Sequence, residues 1–439
     1  MRRSETKTCT TEGRLLRAAV YGIYVLIQIL RHIPMRYVSD DRVVRKVLRT
    51  ESLLERFRTL YQTNGRILTD FLAALFLKWP IWIWKVFDIC VLFAIAVLIV
   101  HLFTDCSVRS ILTVCMLVLL FPVNYLRSAG YIASSTNYSY PVLGLLLVLF
   151  PLVRCYRNQK VSFGMLVLAA VGTIYCSNHD QSAVVQIAGL GLLLLYLLVC
   201  GIRGLMFRYT AGALVLSLVS YGFMYSLPGH RYRMESVSEM ERWFPGYAEW
   251  SLTDKIYHGY TSTVANLIFN KVNLFIVFVL LLALAGSTMK KTLDRIISAI
   301  PLGVVCLNGV MKKGTFTEVP PYAGKMPELL ALSGDFRHII PLALSMAAVG
   351  CIFWSLLRVI EDRDRRFGMV LLMLLASGSR LMMGFSATIY ASSLRTFTIF
   401  LFILITEILL LLRELWEKQA YTCCWVGIGA IAGLLIRLV

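Results

Sequence analysis

In YVSDDRVV, residues 37–44, two carboxylates stand side by side a few residues beyond the first long apolar run. A carboxylate on a fixed seat can accept the proton of an attacking hydroxyl. Asp40 and Asp41, with a third acid such as Asp180, could also hold Mg²⁺ or Mn²⁺ through oxygen ligands. The stretch equally suits a helix start in which Ser39 or Asp40 caps free backbone N–H groups, and an N-cap can double as a base. Later clusters supply complementary groups. Arg66 ends Gln62–Arg66 beside an apolar run, either as a snorkelling cation or as an anion contact. Asn124–Pro141 is polar, aromatic and rich in small residues, so Asn137 and Tyr138 suit a sugar, although interfacial tyrosines also serve as membrane anchors. Ser177-Asn178-His179-Asp180-Gln181 sets five polar residues between apolar runs, more than a turn requires. Pro228–Arg233 brings His230, Arg231 and Arg233 together, and the two arginines could grip a phosphate bidentately. Arg395 closes Tyr390–Arg395 at the end of another apolar run.

The elements that must position these groups are membrane helices. Of 439 residues 58% are hydrophobic and 16% charged, with mean hydropathy +0.71, far outside the soluble range. Backbone in a bilayer must bond to itself, so the fold class is all-α and polytopic, a single membrane domain over 1–439. The net charge of +19 has no soluble basic domain to carry nucleic acid, and points to membrane lipids and lipid phosphates. The 11 cysteines show no C-x-x-C pair and no zinc spacing, and read as small buried hydrophobes.

Roughly thirteen spans of about 20 residues are expected, at approximately 15–32, 81–104, 110–124, 139–153, 161–176, 182–200, 208–227, 262–286, 295–311, 338–357, 367–384, 395–412 and 421–438. The first reads as an uncleaved span rather than a signal peptide. Its start is cytosolic by the positive-inside rule, and alternation then places the short basic connectors inside. The long polar ones fall outside: 33–80, 125–138, 177–181, 228–261, 312–337 and 385–394. Residues 35–66 break the charge rule with eight Arg and Lys. There Val43, Val44, Val47, Leu48, Leu53, Leu54, Phe57, Leu60 and Tyr61 recur at helical spacing among the cations, which predicts one or two amphipathic helices flat on the membrane. Ile67–Leu77 reads as a partial or re-entrant helix.

In chain order, the acidic pair, helices ending in Gly65-Arg66, the Asn137-Tyr138 loop, a polar H-[DE]-[NQ] connector, the Pro228-Gly229 loop and a late arginine resemble bacterial membrane glycosyltransferases of the GT-C superfold. The likeness covers about residues 15–410 and is nearest to glucosyltransferase-type members with a short "DD" first loop and no C-terminal soluble domain. His179-Asp180-Gln181 stands where a glutamate would be expected, and His230 where an asparagine would. The resemblance implies transfer of a sugar from a polyprenyl-phosphate donor, with inversion, to a cell-envelope glycan or lipid-linked acceptor at the outer face of the bacterial cytoplasmic membrane. It implies Asp40 as general base and Asp41 as the residue orienting acceptor or loop. Arg66, Arg231, Arg233 and Arg395 would bind the donor phosphate, and Asn137, Tyr138, His179, Asp180, Gln181 and His230 the sugar or acceptor. No cofactor or metal is obligatory in this reading. Loops 228–261 and 312–337, the latter through Lys312, Lys313, Tyr322 and Lys325, would help choose the acceptor. A lipid-linked oligosaccharide polymerase, ligase or flippase shares the composition, but tends to carry its arginines and histidine in one late loop. A small-molecule transporter would show the repeats and broken spans that are not apparent here.

Overall fold

The computed structural model describes residues 11–269, 272–310 and 336–436. Every element assigned among them is helical, and the chain is an all-α, multi-pass membrane protein. Among the described residues nine helices are long and apolar enough to cross a bilayer. There are ten if Leu252–Ile268 and Asn273–Ser287, bent by 81°, form one span. Within the described residues each of the thirteen expected runs coincides with helix, although 262–286 is split between Leu252–Ile268 and Asn273–Ser287. The count is smaller because Phe163–Cys176 and Tyr421–Ile436 have only 14 and 16 residues, and Thr292–Val310 is not among the nine. Cys115, Cys176 and Cys424 are buried as expected, but Cys90 and Cys306 are exposed, since lipid accepts a thiol as readily as a protein core does.

The 33–80 connector folds as three helices, Ser39–Val47, Leu53–Thr63 and Ile67–Lys78. The second starts with a capping box: Ser52 Oγ accepts from Glu55 N at 3.2 Å and Glu55 Oε2 from Ser52 N at 2.7 Å. Val43, Val47, Leu54, Phe57 and Tyr61 remain exposed along the first two helices while Leu48 and Leu60 are buried, the pattern of helices with an apolar face toward lipid. Part of the excess basic charge has local work. Arg42 Nε donates to Tyr37 O at 2.7 Å, Arg45 lies 4.0 Å over the Tyr37 ring, and Lys78 Nζ bonds Leu48 O at 2.6 Å.

The polar connectors from 39–47, 123–139, 177–181, 228–235 and 382–397 meet at one end of the bundle, joined by the contacts described below. Beneath them lies a buried polar chain that sequence reasoning missed. His32 contacts Asp88 Oδ2 at 2.9 Å and Gln28 O at 2.7 Å, and Gln28 Nε2 donates to Tyr24 Oη at 3.0 Å. A histidine or an aspartate inside the membrane is costly unless it is partnered. Here the His32–Asp88 contact ties the first span to Ile81–Phe103.

Candidate active site

The two adjacent carboxylates have opposite environments. Ser39 adopts φ +46, a left-handed conformation unfavourable for a serine. At the turn that follows, Asp40 is exposed while Asp41 is 1% exposed. The cap expectation is corrected: Val38 occupies the N-cap of Ser39–Val47 and no side chain caps that helix. Asp41 instead caps a different one. Its Oδ2 accepts from Ile132 N and its Oδ1 from Ala133 N, both at 3.1 Å, at the start of the helical stretch that runs from Tyr131 through Ser139 into Tyr140–Tyr156. That stretch begins after Gly130, which has no side chain to satisfy its free N–H groups. Gly130 sits at φ +102, and a Cβ there would overlap the Asp41 carboxyl group, so glycine is required on two counts. Burial, aided by the Asp40 charge and opposed by the backbone donors, leaves the Asp41 carboxyl pushed up to about 7.

Asp40 is open by comparison. Partial burial lifts its carboxyl above the usual range, and the positive charge of Arg395 opposes that lift. The two form no direct ion pair: Arg395 donates to hydroxyls, Ser128 Oγ at 3.0 Å and Ser392 Oγ at 3.5 Å. Among the described residues no carboxylate pairs with it.

A second cluster gathers on Asp180. Arg66 Nη2 and Arg233 Nη2 donate to Asp180 Oδ2 at 3.0 and 2.6 Å, and His230 Nε2 meets Oδ1 at 3.2 Å. Backbone contact makes this possible. Gly65 has φ +80, and a Cβ on Gly65 or Gly229 would collide with the other segment's backbone within 2.6 Å. The Gly-Arg and Pro-Gly motifs mark two loops that touch, with their cations falling on one carboxylate. The network continues through Asn64, which accepts from Arg233 Nη1 at 3.2 Å and donates to Asp70. Asp70 Oδ1 in turn accepts from Asn137 Nδ2 at 2.7 Å. Asn137 lies less than two helical turns from the residues that hold Asp41, so one helix carries both clusters.

Below this layer, Asn178 Oδ1 accepts from Leu68 N at 2.7 Å, and Gln181 Nε2 donates to Ser379 O and Thr396 O, both at 2.9 Å. His179 is 2% exposed, edge-on to the Tyr138 ring at 5.1 Å, and neither ring nitrogen has a hydrogen-bond partner among the described residues. Burial and the charges of Arg66 and Arg233 hold its pKa well below the ordinary histidine range, so the imidazole stays neutral.

Of the expected site residues, Asp40 and Arg395 face one another electrostatically, and Arg66, Arg233, Asp180 and His230 form the second cluster. Asn137 and Gln181 are built into the scaffold: Asn137 Oδ1 also accepts from Thr69 Oγ1 at 2.9 Å. Arg231 is exposed and apart from Arg233, which lies on the other side of the short Pro228–Glu235 helix. Asp40, Asp41 and Asp180 do not fit a shared metal. The oxygens of the latter two are taken by backbone donors and cations, and among the described residues no group of three or more His, Cys, Asp or Glu converges. Lys312, Lys313, Tyr322 and Lys325 lie outside the described residues.

Sequence reasoning missed Asp70 and Arg380. Arg380 is 1% exposed, 3.7 Å from the Phe397 ring centroid and hydrogen-bonded to Thr396. Each is a charge inside an apolar run, a signal the hydropathy pattern contained. The aromatic group Phe244, Tyr247, Trp250, His258 and Tyr390 was missed too. His258 stacks on Trp250 at 3.8 Å and contacts Tyr390 Oη at 2.7 Å, which pins the 237–250 segment over the Arg395 connector. In comparisons with protein-family models, characterised proteins and solved structures, nothing matches this chain.

Proposed function

We propose that the protein is a membrane glycosyltransferase, moving a sugar with inversion from a polyprenyl-phosphate donor to a cell-envelope glycan or lipid-linked acceptor at the outer face of a bacterial cytoplasmic membrane. The observation that carries this reading is the exposed Asp40 held next to Arg395 without pairing to it, on a seat fixed by Asp41. An acceptor hydroxyl between them attacks C1 of the sugar as Asp40 takes its proton, and the C1–O bond to phosphate breaks. The leaving phosphate keeps the bonding pair, and Arg395 stabilises the charge it gathers. Asp41 is a positioning residue. Arg66, Arg233 and His230 converge on Asp180 and hold loop 228–235 beside the site, and Arg395, which pairs with no carboxylate among the described residues, is the principal phosphate contact in this reading.

Purified protein reconstituted with a polyprenyl-phospho-sugar and candidate acceptors tests this. Asp40→Asn lowers turnover by about 10²–10⁴-fold, the usual weight of a general base. Turnover at the wild-type rate would remove Asp40 from the mechanism. Comparison of the surface glycan in a deletion strain identifies the sugar, and an unchanged glycan counts against the whole reading.

A further inference from the structure

At the other ends of the helices that frame the candidate site lies a second cavity system. Ile81–Phe103, Tyr140–Tyr156 and Thr398–Glu417 all begin near the polar connectors and finish around a pocket of about 1030 Å³. Its rim carries Arg109, Arg157 and Arg413 with Trp416, against two carboxylates, Asp105 and Glu417. Both carboxylates are already claimed. Asp105 Oδ1 accepts from Ser107 N at 3.0 Å and Ser110 Oγ at 2.6 Å, and Glu417 accepts from Arg413 Nε at 2.9 Å and Arg365 Nη1 at 2.5 Å. Arg157 closes the Ile81–Phe103 helix by donating to His101 O and Leu102 O. Arg109 is different: its guanidinium stacks 3.4 Å over Trp416 and donates to no acceptor among the described residues.

Phe103 also lines a second cavity, a slot of about 150 Å³ walled by Ile99, Leu145, Leu149, Leu375 and Phe402. An apolar slot of that size stays dry and takes an apolar occupant. A basic mouth that shares Phe103 with a dry slot between spans matches an amphiphile with a negative head and an alkyl chain. A soluble anion fills only the mouth, and a neutral lipid gains nothing from the unclaimed guanidinium. We propose that this cleft binds one anionic phospholipid from the leaflet opposite the candidate active site, phosphate against Arg109 with Arg157 adding charge, and an acyl chain past Phe103 along Leu145 and Leu149. The inference is independent of the transferase reading.

Full-chain protein, stripped of lipid in detergent and offered an equal mixture of phosphatidylglycerol and phosphatidylcholine with identical chains, is read by native mass spectrometry. One phosphatidylglycerol is retained in preference. Arg109→Gln lowers the preference about fivefold, the weight of one basic residue at an anionic surface, and Arg109→Lys retains most of it. Leu149→Trp, or Leu145→Phe should that variant fail to fold, abolishes retention of the lipid, and glycerol 3-phosphate does not displace the lipid from wild-type protein. Equal retention of the two lipids, no response to Arg109→Gln, or competition by glycerol 3-phosphate as strong as by the lipid would each overturn the proposal, the last by showing a free-phosphate site.

Discussion

The Asp40–Asp41 seat and the Asp180 cluster both place carboxylates among arginines, and they differ in how fully those charges are used. Asp180 meets three cationic or donor side chains, and its partners lead on through Asn64 and Asp70 into the scaffold. In the acidic pair the work is divided: Asp41 is spent on backbone N–H groups, while Asp40 stays open with a charged but unpaired arginine nearby. A saturated carboxylate holds loops together, and the proposed chemistry rests on the unsaturated one, near an arginine that donates only to hydroxyls among the described residues.

That contrast can be broken most decisively at Asp40. Asp40→Asn is expected to reduce turnover by about 10²–10⁴-fold with melting temperature unchanged, whereas a large loss of stability would make Asp40 architectural. Asp180→Asn should act the other way round, leaving Arg66 and Arg233 without their shared acceptor. A loss of about 2–4 kcal/mol is expected, less than the cost of breaking a fully buried pair because these side chains keep 23–27% of their surface. Denaturant or thermal unfolding measures it, and an unperturbed midpoint would move Asp180 from scaffold to substrate contact.

Gly130→Ala combines left-handed strain with overlap on Asp41, for an expected cost of about 1–3 kcal/mol and a fall in turnover through displacement of Asp40. Full activity in that variant would uncouple the seat from the base. Smaller effects follow from pH. Because the folded Asp41 carboxyl is raised to about 7 from 3.8, its neutral form favours the fold. Its contribution is present at the acid end and is lost as pH rises from about 4 through about 7. Melting temperature should fall across that window less steeply in Asp41→Asn than in wild type, and parallel curves would show that Asp41 keeps its ordinary pKa. Under the proposed mechanism activity behaves oppositely, since a general base must be ionised: kcat/KM is expected to fall as pH drops through the raised pKa of Asp40. The smallest change belongs to Arg231→Ala, which should stay within about 0.5 kcal/mol in stability and leave turnover near wild type. A strong activity loss there would return Arg231 to the phosphate contacts.

The helices and the flagged motifs were legible in the sequence because hydropathy and helical spacing are local properties. The capping box of Ser52 and Glu55 has a spacing that the sequence contains but that the sequence reading passed over. The convergence of Arg66, Arg233 and Asp180 was legible only in part, since Gly65-Arg66 and Pro228-Gly229 looked like separate turns until their backbones met. The true use of Asp41 was not legible at all: its partners, Ile132 N and Ala133 N, are backbone groups 91 and 92 residues away.

By itself the sequence determined that this is a helical membrane protein, with polar connectors gathered toward one face and an acidic pair followed by amphipathic helices. Apolar run length and charge alternation decide those features wherever the segments finally pack. Only the tertiary structure decided which of two identical, adjacent side chains is buried and which is open. It also decided that one carboxylate collects three partners, and that a basic mouth and a dry slot share Phe103 at the far end. Desolvation and hydrogen bonding depend on neighbours distant in the chain, and no local pattern of residues encodes them.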